Sequence, residues 1–473
     1  VRALIGTLLL GTALAFPASA VAQLLSPNPT VLTLRLDGTL AERISGLAFS
    51  AMTPDTSHIV LLAPSGELMG PAAPGATSLS QQWILLNRVT GDRRVISINS
   101  VGAGQELFPE SVVSGVTISI SDDANRIVFN STATNLDPAA TSGANRCYLW
   151  DRAVGHAVVV DVDPLPGLQA RPCGNITADG REVVALCSQP VPGVMGFGVC
   201  VRNLETGVIE RLAPGRGAAV SNGYEMKLDI SADGSAVLFS GWDGSTPRGL
   251  TRVDRNTGEV FDVLAGAGSP SNVSVSGDGR YVAFNIGVYD HVTGIRRSVA
   301  RPPFATPTNI IYDLHVSRDG RFLAFRTAAV EFERAITGLP TASGRELVYR
   351  LDLATDRLEM VSRNGLNGEI ANLSHNTCVF PDPFGCIPNR FSPRLSADGR
   401  LVVFQFPRAN LAPSYPPGSV FEEQLFIKDM GPAAPLANPV PVPLDRRTLI
   451  LGLGALLLVF GSVALWRRHG VAL

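Results

Sequence analysis

Seven aspartates, Asp55, Asp123, Asp179, Asp233, Asp278, Asp319 and Asp398, recur at one place in a repeated phrase and are the first candidates for chemistry. Carboxylates in this number could bind Ca²⁺. That ion takes roughly six to eight oxygens, so several acids would have to converge on one point. Here each aspartate stands alone, two residues after Thr53, Ser121, Thr177, Ser231, Ser276, Ser317 or Ser396. A hydroxyl, a spacer, Asp and then Gly is turn chemistry. The two side chains bond the backbone of a tight turn, and Gly takes its left-handed position. The repeated aspartates are therefore expected to be structural.

Other reactive side chains give no constellation. His58, His156, His291, His315, His375 and His469 are scattered singly, and a lone His is more often a surface or core residue than a ligand. There is no Gly-x-Ser-x-Gly elbow and no His-Glu-x-x-His. Gly102-Ala-Gly104 and Gly266-Ala-Gly268 are flexible segments without a phosphate-loop pattern. Among the remaining acids only Asp161, Asp163 and Asp382 attract notice. No catalytic, cofactor-binding or metal-ligating residue is assigned, and no cofactor is expected.

The elements that carry the repeated aspartates follow from the flanking residues. An apolar residue precedes each hydroxyl: Met52, Ile120, Ile176, Ile230, Val275, Val316 or Leu395. Four to six residues after each Asp come apolar runs such as Leu323-Ala324-Phe325 and Val402-Val403-Phe404. A strand apolar on both faces packs between two sheets. A second turn follows each such strand, at Asn87, Asp151, Asn203, Asp254, Asp290 and Asp352. Each repeat thus holds four strands, and a period of roughly 40–50 residues with four strands is a propeller blade.

The Ser-x-Asp-Gly-Arg-apolar-apolar-apolar-Phe core resembles the TolB-like, WD-type β-propeller repeats of bacterial envelope proteins, over about residues 30–430. The first copy, Thr53-Pro-Asp-Thr-Ser, lacks the Gly, and Ala185 replaces Phe in the third. The expected fold is all-β: a single closed propeller of seven four-stranded blades, with a C-terminal transmembrane helix.

Residues 1–22 read as a secretory signal, with Arg2, an apolar run and small residues at Ala18-Ser19-Ala20. Residues 23–430 form the propeller. Residues 31–45 read as two strands about an Asp-Gly turn, expected to complete the last blade and close the ring. Residues 431–445 are a Pro/Ala linker, extended by its prolines. Residues 446–473 are a membrane helix with a basic tail: Leu449 to Trp466 is an uncharged run of roughly 18 residues, followed by Arg467-Arg468. This tail resembles the IPTL-type sorting signals of Gram-negative bacteria. Val440-Pro-Val-Pro-Leu444 stands at the Ile-Pro-Thr-Leu position, although the usual Trp is missing. The resemblance implies a processed tail and handover to the cell surface.

Six cysteines in an exported chain imply disulfides, and six allow about fifteen pairings. Blade geometry favours Cys187–Cys200, at the facing ends of neighbouring strands; Cys378–Cys386 would staple the longest loop, and Cys147–Cys173 remains, both towards the loop-bearing face. A metal site is disfavoured, because no Cys-x-x-Cys occurs and no His lies beside a pair.

Long connections at 63–82, 131–146, 189–196, 300–311, 327–345, 366–393 and 407–424 all follow the second or fourth strand of a repeat. They therefore share one rim, and the short turns share the other. Binding surfaces favour loops on a rigid scaffold. A net charge of −2 calls for no nucleic acid. The expected function is a monomeric, exported, membrane-tethered scaffold, periplasmic or at the cell surface, that binds an envelope protein or glycan. The alternative is a lactonase-like or glycan-cleaving propeller with its site at the channel mouth. That site would need ligating groups near Asn175, Asp229, His315 and Arg394.

Overall fold

The computed structural model describes residues 29–32, 51–64, 68–69, 81–105, 118–140, 145–161, 170–171, 173–191, 194–213, 228–242, 247–264, 270, 273–284, 287–299, 311–338, 347–363, 370, 393–407 and 423–432. They form seven β-sheets. From innermost to outermost strand, blade 1 comprises Ala51–Met52, His58–Pro64, Gln81–Asn87 and Arg93–Val95. Blade 2 comprises Ile118–Ile120, Arg126–Ser131, Asn145–Asp151 and Ala157–Val159. Blade 3 runs over Cys173–Ile176, Glu182–Val191, Val194–Asn203 and Ile209–Leu212; blade 4 over Leu228–Ile230, Ala236–Trp242, Pro247–Asp254 and Val260–Leu264. Blade 5 is Val273–Val275, Tyr281–Phe284, Gly287–Asp290 and Ile295–Ser298; blade 6 is Ile311–Val316, Phe322–Thr327, Leu347–Asp352 and Leu358–Met360. Blade 7 takes Arg394–Leu395, Leu401–Pro407 and Glu423–Asp429 from the end of the chain and Thr30–Val31 from its beginning.

That last pairing closes the ring. Thr30 lies opposite Ile427 and Val31 opposite Phe426, antiparallel, and the Leu32 N–H donates to Leu425 O at 2.8 Å. Closure by the N-terminal segment was expected. The observed strand is Thr30–Val31, and residues 33–50 lie outside the described residues.

Each first turn is built by one repeated circuit. The Ser or Thr hydroxyl donates to Asp Oδ1 at 2.5–2.7 Å in all seven blades. That same hydroxyl accepts the N–H that opens the second strand, as from Phe322 at 2.9 Å and Leu401 at 2.9 Å. The left-handed position is Gly at 180, 234, 279, 320 and 399; Thr56 and Ala124 hold it at φ 60° and 54° in the two copies without Gly. The motif's Arg ties the first turn to the second: Arg280 pairs with Asp290 at 2.8 Å, Arg321 with Asp352 at 2.8 Å and Arg400 with Asp429 at 2.7 Å.

The core lies between blades. Phe129, Phe325 and Phe404 stack on Tyr148, Tyr349 and Phe426 of their third strands, with ring centroids 5.6–5.7 Å apart. In blade 3 the equivalent residue is Ala185, and cysteines flank it. Ala185 lies opposite Cys173 on one side and Cys200 on the other. Two disulfides fill the space. Cys187–Cys200 crosses two strands of blade 3, and Cys147–Cys173 joins blade 2 to blade 3. Cys378 and Cys386 lie outside the described residues.

Three details depart from expectation. Segment 189–196 is not a long loop, because both strands of blade 3 continue through it to a tight hairpin, with Val191 opposite Val194. Segment 327–345 contains a helix, α1 (Val330–Thr337), whose Phe332 packs on Phe325 at 5.3 Å. Blade 2 carries a fifth strand, Ala170–Arg171, paired parallel with Asn145–Arg146. Among the described residues no helix is long and apolar enough to cross a membrane. The leader 1–22, the linker beyond residue 432 and the Leu449 to Trp466 span lie outside the described residues.

Two stability predictions follow from these contacts. Deleting residues 24–45 removes the closing strand and is expected to lower the melting temperature strongly; an unchanged transition contradicts closure. Gly258 has φ 73° with open space where a Cβ would stand, whereas a Cβ on Gly399 would enter the Phe322 ring. Gly258→Ala should cost about 1–2 kcal/mol from backbone strain. Gly399→Ala should cost about 1–3 kcal/mol more from overpacking, as measured by urea unfolding.

Candidate functional site: the central channel

The innermost strand of every blade turns an edge towards the central axis, and its backbone groups need partners there. At the turns, backbone supplies them. Asp122 N–H donates to Ala178 O, Ala178 to Ala232 O, Asp233 to Gly277 O, Gly277 to Arg318 O, Asp319 to Ala397 O, and Ala397 to Pro54 O, at 2.8–3.2 Å. This belt joins blades 2, 3, 4, 5, 6, 7 and 1 in sequence. Pro54 has no N–H to offer, and among the described residues no such bond joins blade 1 to blade 2.

The spacer of each Ser-x-Asp turn sits on this belt. It is charged in only two blades, Asp122 in blade 2 and Arg318 in blade 6. These blades stand nearly opposite each other across the ring. Arg318 makes a two-pronged ion pair with Asp122, one prong of 2.7 Å from Nη2 to Oδ1. Gly277 gives Arg318 room, because a Cβ there would collide with the Arg318 side chain and come within 3.0 Å of its carbonyl oxygen. The pair thus spans the channel at its short-turn end. Sequence reasoning missed it. The opposite charges at one otherwise small, uncharged repeat position were the available signal.

A second belt, of side chains, lies one layer further in. Ser119 Oγ accepts the Ile176 N–H at 3.1 Å, Ser274 Oγ the Val316 N–H at 3.2 Å, and His315 Nδ1 the Leu395 N–H at 3.3 Å. Asp229 Oδ2 accepts the Val275 N–H at 3.0 Å, while Oδ1 takes the Ile230 N–H at 2.9 Å and the Asn175 amide at 2.5 Å. Each acceptor occupies the same repeat position, one residue before the apolar residue of the motif, and most reach from one blade to the next.

Asn175, Asp229, His315 and Arg394 therefore do share one layer. Arg394 acts electrostatically on both Asp229 and His315. Burial pushes the Asp229 carboxyl up to about 6, although the bonds from Asn175, Val275 and Ile230 and the charge of Arg394 oppose the rise. Burial, reinforced by Arg394, lowers His315 well below the usual imidazole range, so the ring is neutral. With Nδ1 accepting a hydrogen bond, the ring proton sits on Nε2.

The repeated aspartates lie apart from this layer, each in its own turn. Burial works to raise Asp233, but bonds from the Ser231 hydroxyl and from the Ser235 N–H and hydroxyl outweigh it and hold the carboxyl below its usual range. Asp55, Asp123 and Asp179 shift in the same direction for the same reasons. Asp278, Asp319 and Asp398 accept the same hydroxyl bond. Asp161 pairs with Arg146 at 3.1 Å and accepts the Cys147 N–H; Asp163 and Asp382 lie outside the described residues. His58 caps the start of the second strand of blade 1 beside Ser57 and Asn87. His156 follows the second turn of blade 2, and His291 of blade 5 packs on Tyr289 of its own blade and on Phe261 of blade 4. His375 and His469 lie outside the described residues. Among the described residues no three His, Cys, Asp or Glu side chains gather as a metal site.

No protein-family model matches the chain, and no curated protein matches it. Solved structures similar to it include TolB from Acinetobacter baumannii, at 15% identity over 65% of this chain and 64% of that one, with a TM-score of 0.37. The chain thus spans less than two thirds of that TolB. An oligogalacturonate lyase in complex with manganese matches at 13% identity over 81% of this chain and 89% of that one, TM-score 0.45. The Myceliophteria thermophila Cps50 (Swd1) β-propeller domain matches at 10% identity over 74% and 91%, TM-score 0.41. The fold assignment rests on the seven sheets of this chain.

Neutral His315 makes a prediction. Its folded-state pKa lies below the unfolded value of 6.5, so below that pH the unfolded chain binds a proton that the folded chain does not, and stability falls. The native chain should lose about 1.4 kcal/mol more than His315→Gln for each pH unit below about 6.5, read from melting temperatures between pH 7 and 5. Asp229 titrates in both proteins and cancels. Parallel curves would show that His315 protonates in the folded state.

Proposed function

We propose that this chain is an exported β-propeller that serves as a binding scaffold in the bacterial cell envelope, with the loop-bearing rim as its contact surface. The observation that carries this reading is the unequal construction of the two rims. One rim consists of short hydrogen-bonded turns, with the belt and the Arg318–Asp122 pair at its centre and exposed Val89, Val154, Val208, Val292 and Ile295 on its second turns. The other is where the second strands of the blades end and where α1 stands, with Arg334 and Ala335 exposed. Two disulfides support an oxidising compartment. The last strand ends at Asp429, in the position of a second turn, so the tail leaves from the short-turn rim. A tether through Leu449 to Trp466 would then turn the loop-bearing rim away from the membrane. The partner class is an envelope protein or a glycan, and the propeller acts as a monomer.

A propeller enzyme with a channel site is the second reading, favoured by the Asp229, His315 and Arg394 layer. Asp229, the carboxylate of that layer, already accepts three hydrogen bonds. This fits a positioning role better than acid or base catalysis.

Crosslinked capture from envelope extract tests the scaffold reading. Capture of a defined protein or glycan by the full chain should fall at least about fivefold with Arg334→Glu plus Ala335→Glu, as expected for hot-spot loss at an interface. It should persist with Val292→Asp plus Ile295→Asp on the short-turn rim. The reverse pattern would overturn the assignment of the face.

A further inference from the structure

The second turns of the blades are fixed by their ends and leave their tips free. Asn87 Oδ1 accepts the Val89 and Thr90 N–H groups, and Asp290 Oδ1 accepts those of Val292 and Thr293. The turn glycine then donates to the capping residue's carbonyl, as from Gly91 to Asn87 O at 2.8 Å. Blade 4 builds the same turn with Asn256 and Thr257 at its tip, held by Asp254. The fold therefore asks for no apolar residue there, and turns favour Gly, Pro, Asn, Asp and Ser over Val. Yet blades 1, 2 and 5 place Val89, Val154 and Val292 at the tip, and blades 3 and 5 place Val208 and Ile295 just after the glycine.

These five side chains are 52–64% exposed, and among the described residues only one other large apolar side chain, Val101, is exposed. Single exposed apolar residues need no explanation, but five gathered on one rim do. Carboxylates beside them are ion-paired: Asp151 and Glu205 with Arg126 at 3.0 and 3.3 Å, and Asp290 with Arg280 at 2.8 Å. The tips stand on separate blades, as an arc over blades 1, 2 and 3 with blade 5 beyond, and form no groove. A protein partner needs a contiguous, shape-matched patch. A lipid surface accepts separated apolar tips, because headgroups and acyl chains move to fill the space between them. The same rim releases the tail. Strand Glu423–Asp429 ends at the second-turn position of blade 7, where Asp429 pairs with Arg400, and blade 7 adjoins blade 1, where the arc begins. A linker of about 15 residues, reaching roughly 3.1 Å per residue when extended, leads from there to the uncharged run Leu449 to Trp466.

We infer that the short-turn rim lies on the membrane that the C-terminal segment enters, with Val89, Val154, Val208, Val292 and Ile295 seated at the boundary of headgroups and acyl chains. This rests on the reading of Leu449 to Trp466 as an anchor. An anchor alone leaves the propeller free to swing on its linker, and the apolar tips hold it face down. The anchor keeps the rim near the bilayer, so contacts too weak to recruit a free protein suffice. The loop-bearing rim then faces away from the lipid.

The test uses the full chain reconstituted in phosphatidylcholine vesicles that contain a phosphatidylcholine with a diazirine in its acyl chain. After irradiation, carbene adducts are mapped by mass spectrometry. Turns 87–92, 151–156, 203–208 and 290–295 should be labelled together with the tail, at least about tenfold above α1 on the opposite rim. Val89→Asp plus Val154→Asp plus Val208→Asp should cut labelling of the turns in blades 1, 2 and 3 at least about fivefold and leave the tail's labelling unchanged. Substitutions at exposed turn tips change stability little. Should the triple variant melt early, Val292→Asp plus Ile295→Asp repeats the test on blade 5. A labelled tail with turns no higher than α1 overturns the inference and leaves the anchor standing; a second copy covering the rim gives this result, with turns that cross-link between copies. An unlabelled tail removes the anchor and the inference with it. Turn labelling that survives the aspartates also overturns it.

Discussion

An unpaired strand edge is the constraint on which this structure depends. Seven innermost strands converge on one axis, and none can pair with another blade's strand without flattening the ring. Their N–H and C=O groups must still be satisfied. The chain meets this with two belts at different depths, one of backbone at the Ser-x-Asp turns and one of side chains two to three residues upstream. The motif's hydroxyl and aspartate make the first belt possible, because they fix each turn rigidly enough for its spacer to reach the next blade. The Asp229, Ser274 and His315 bonds repeat the logic with side chains. Any ligand chemistry in the channel must work with what those bonds leave over.

The same economy explains blade 3. An aromatic pair fills the wedge between blades in blades 2, 6 and 7. Blade 3 offers Ala185, too small to fill it, and the cysteines of both disulfides lie against that residue. Cys147, Cys173, Cys187 and Cys200 are all buried in one cluster with Val128, Leu149 and Ile176. The inter-blade bridge therefore replaces packing as well as adding a covalent link. A reducing environment would cost this joint more than the others, which are held by rings and aliphatic side chains.

What could be read from the sequence was what the physics keeps local. The turn circuit, the four-strand period and the short second turns are written in residues within about ten positions of each other. Cys187–Cys200 follows from the blade pattern, and Cys147–Cys173 is the pair left once the other cysteines are assigned. The belts were illegible, because a spacer residue has no sequence signature for an N–H that bonds another blade. Pro54, Asp122, Ala178, Ala232, Gly277, Arg318 and Ala397 share nothing but their position. In the sequence the polar layer reads only as a mixed set, Asn175, Asp229, His315 and Arg394, with no uniform ligating character. Its coherence lies in partners roughly 40–80 residues away along the chain, a range set by the blade period. Helix α1 and the long hairpin of blade 3 were hidden by Gly, Pro and Thr that usually mark loops.

The missing bond in the belt shows how far the ring tolerates a local defect. Pro54 leaves blades 1 and 2 without the backbone link that the other six joints have. That joint instead holds a cluster of four buried aromatic side chains, two of them indoles. Trp83, Phe129, Tyr148 and Trp150 are fully buried there among Val60, Leu62, Leu85, Ile118 and Ile127. Arg94 lies over the Trp150 ring at 5.9 Å, and the Ala157 N–H reaches Ile98 O across the two blades at 2.8 Å. Asp122, next to the gap, is gripped from the far side of the channel by Arg318. Bonding lost at the axis is offset by burial towards the rim, where each indole removes on the order of 200 Å² from water. A closed ring distributes such compensation among its joints. For this reason the motif can vary in single copies, as in Thr53-Pro54-Asp55-Thr56, while the propeller keeps its form.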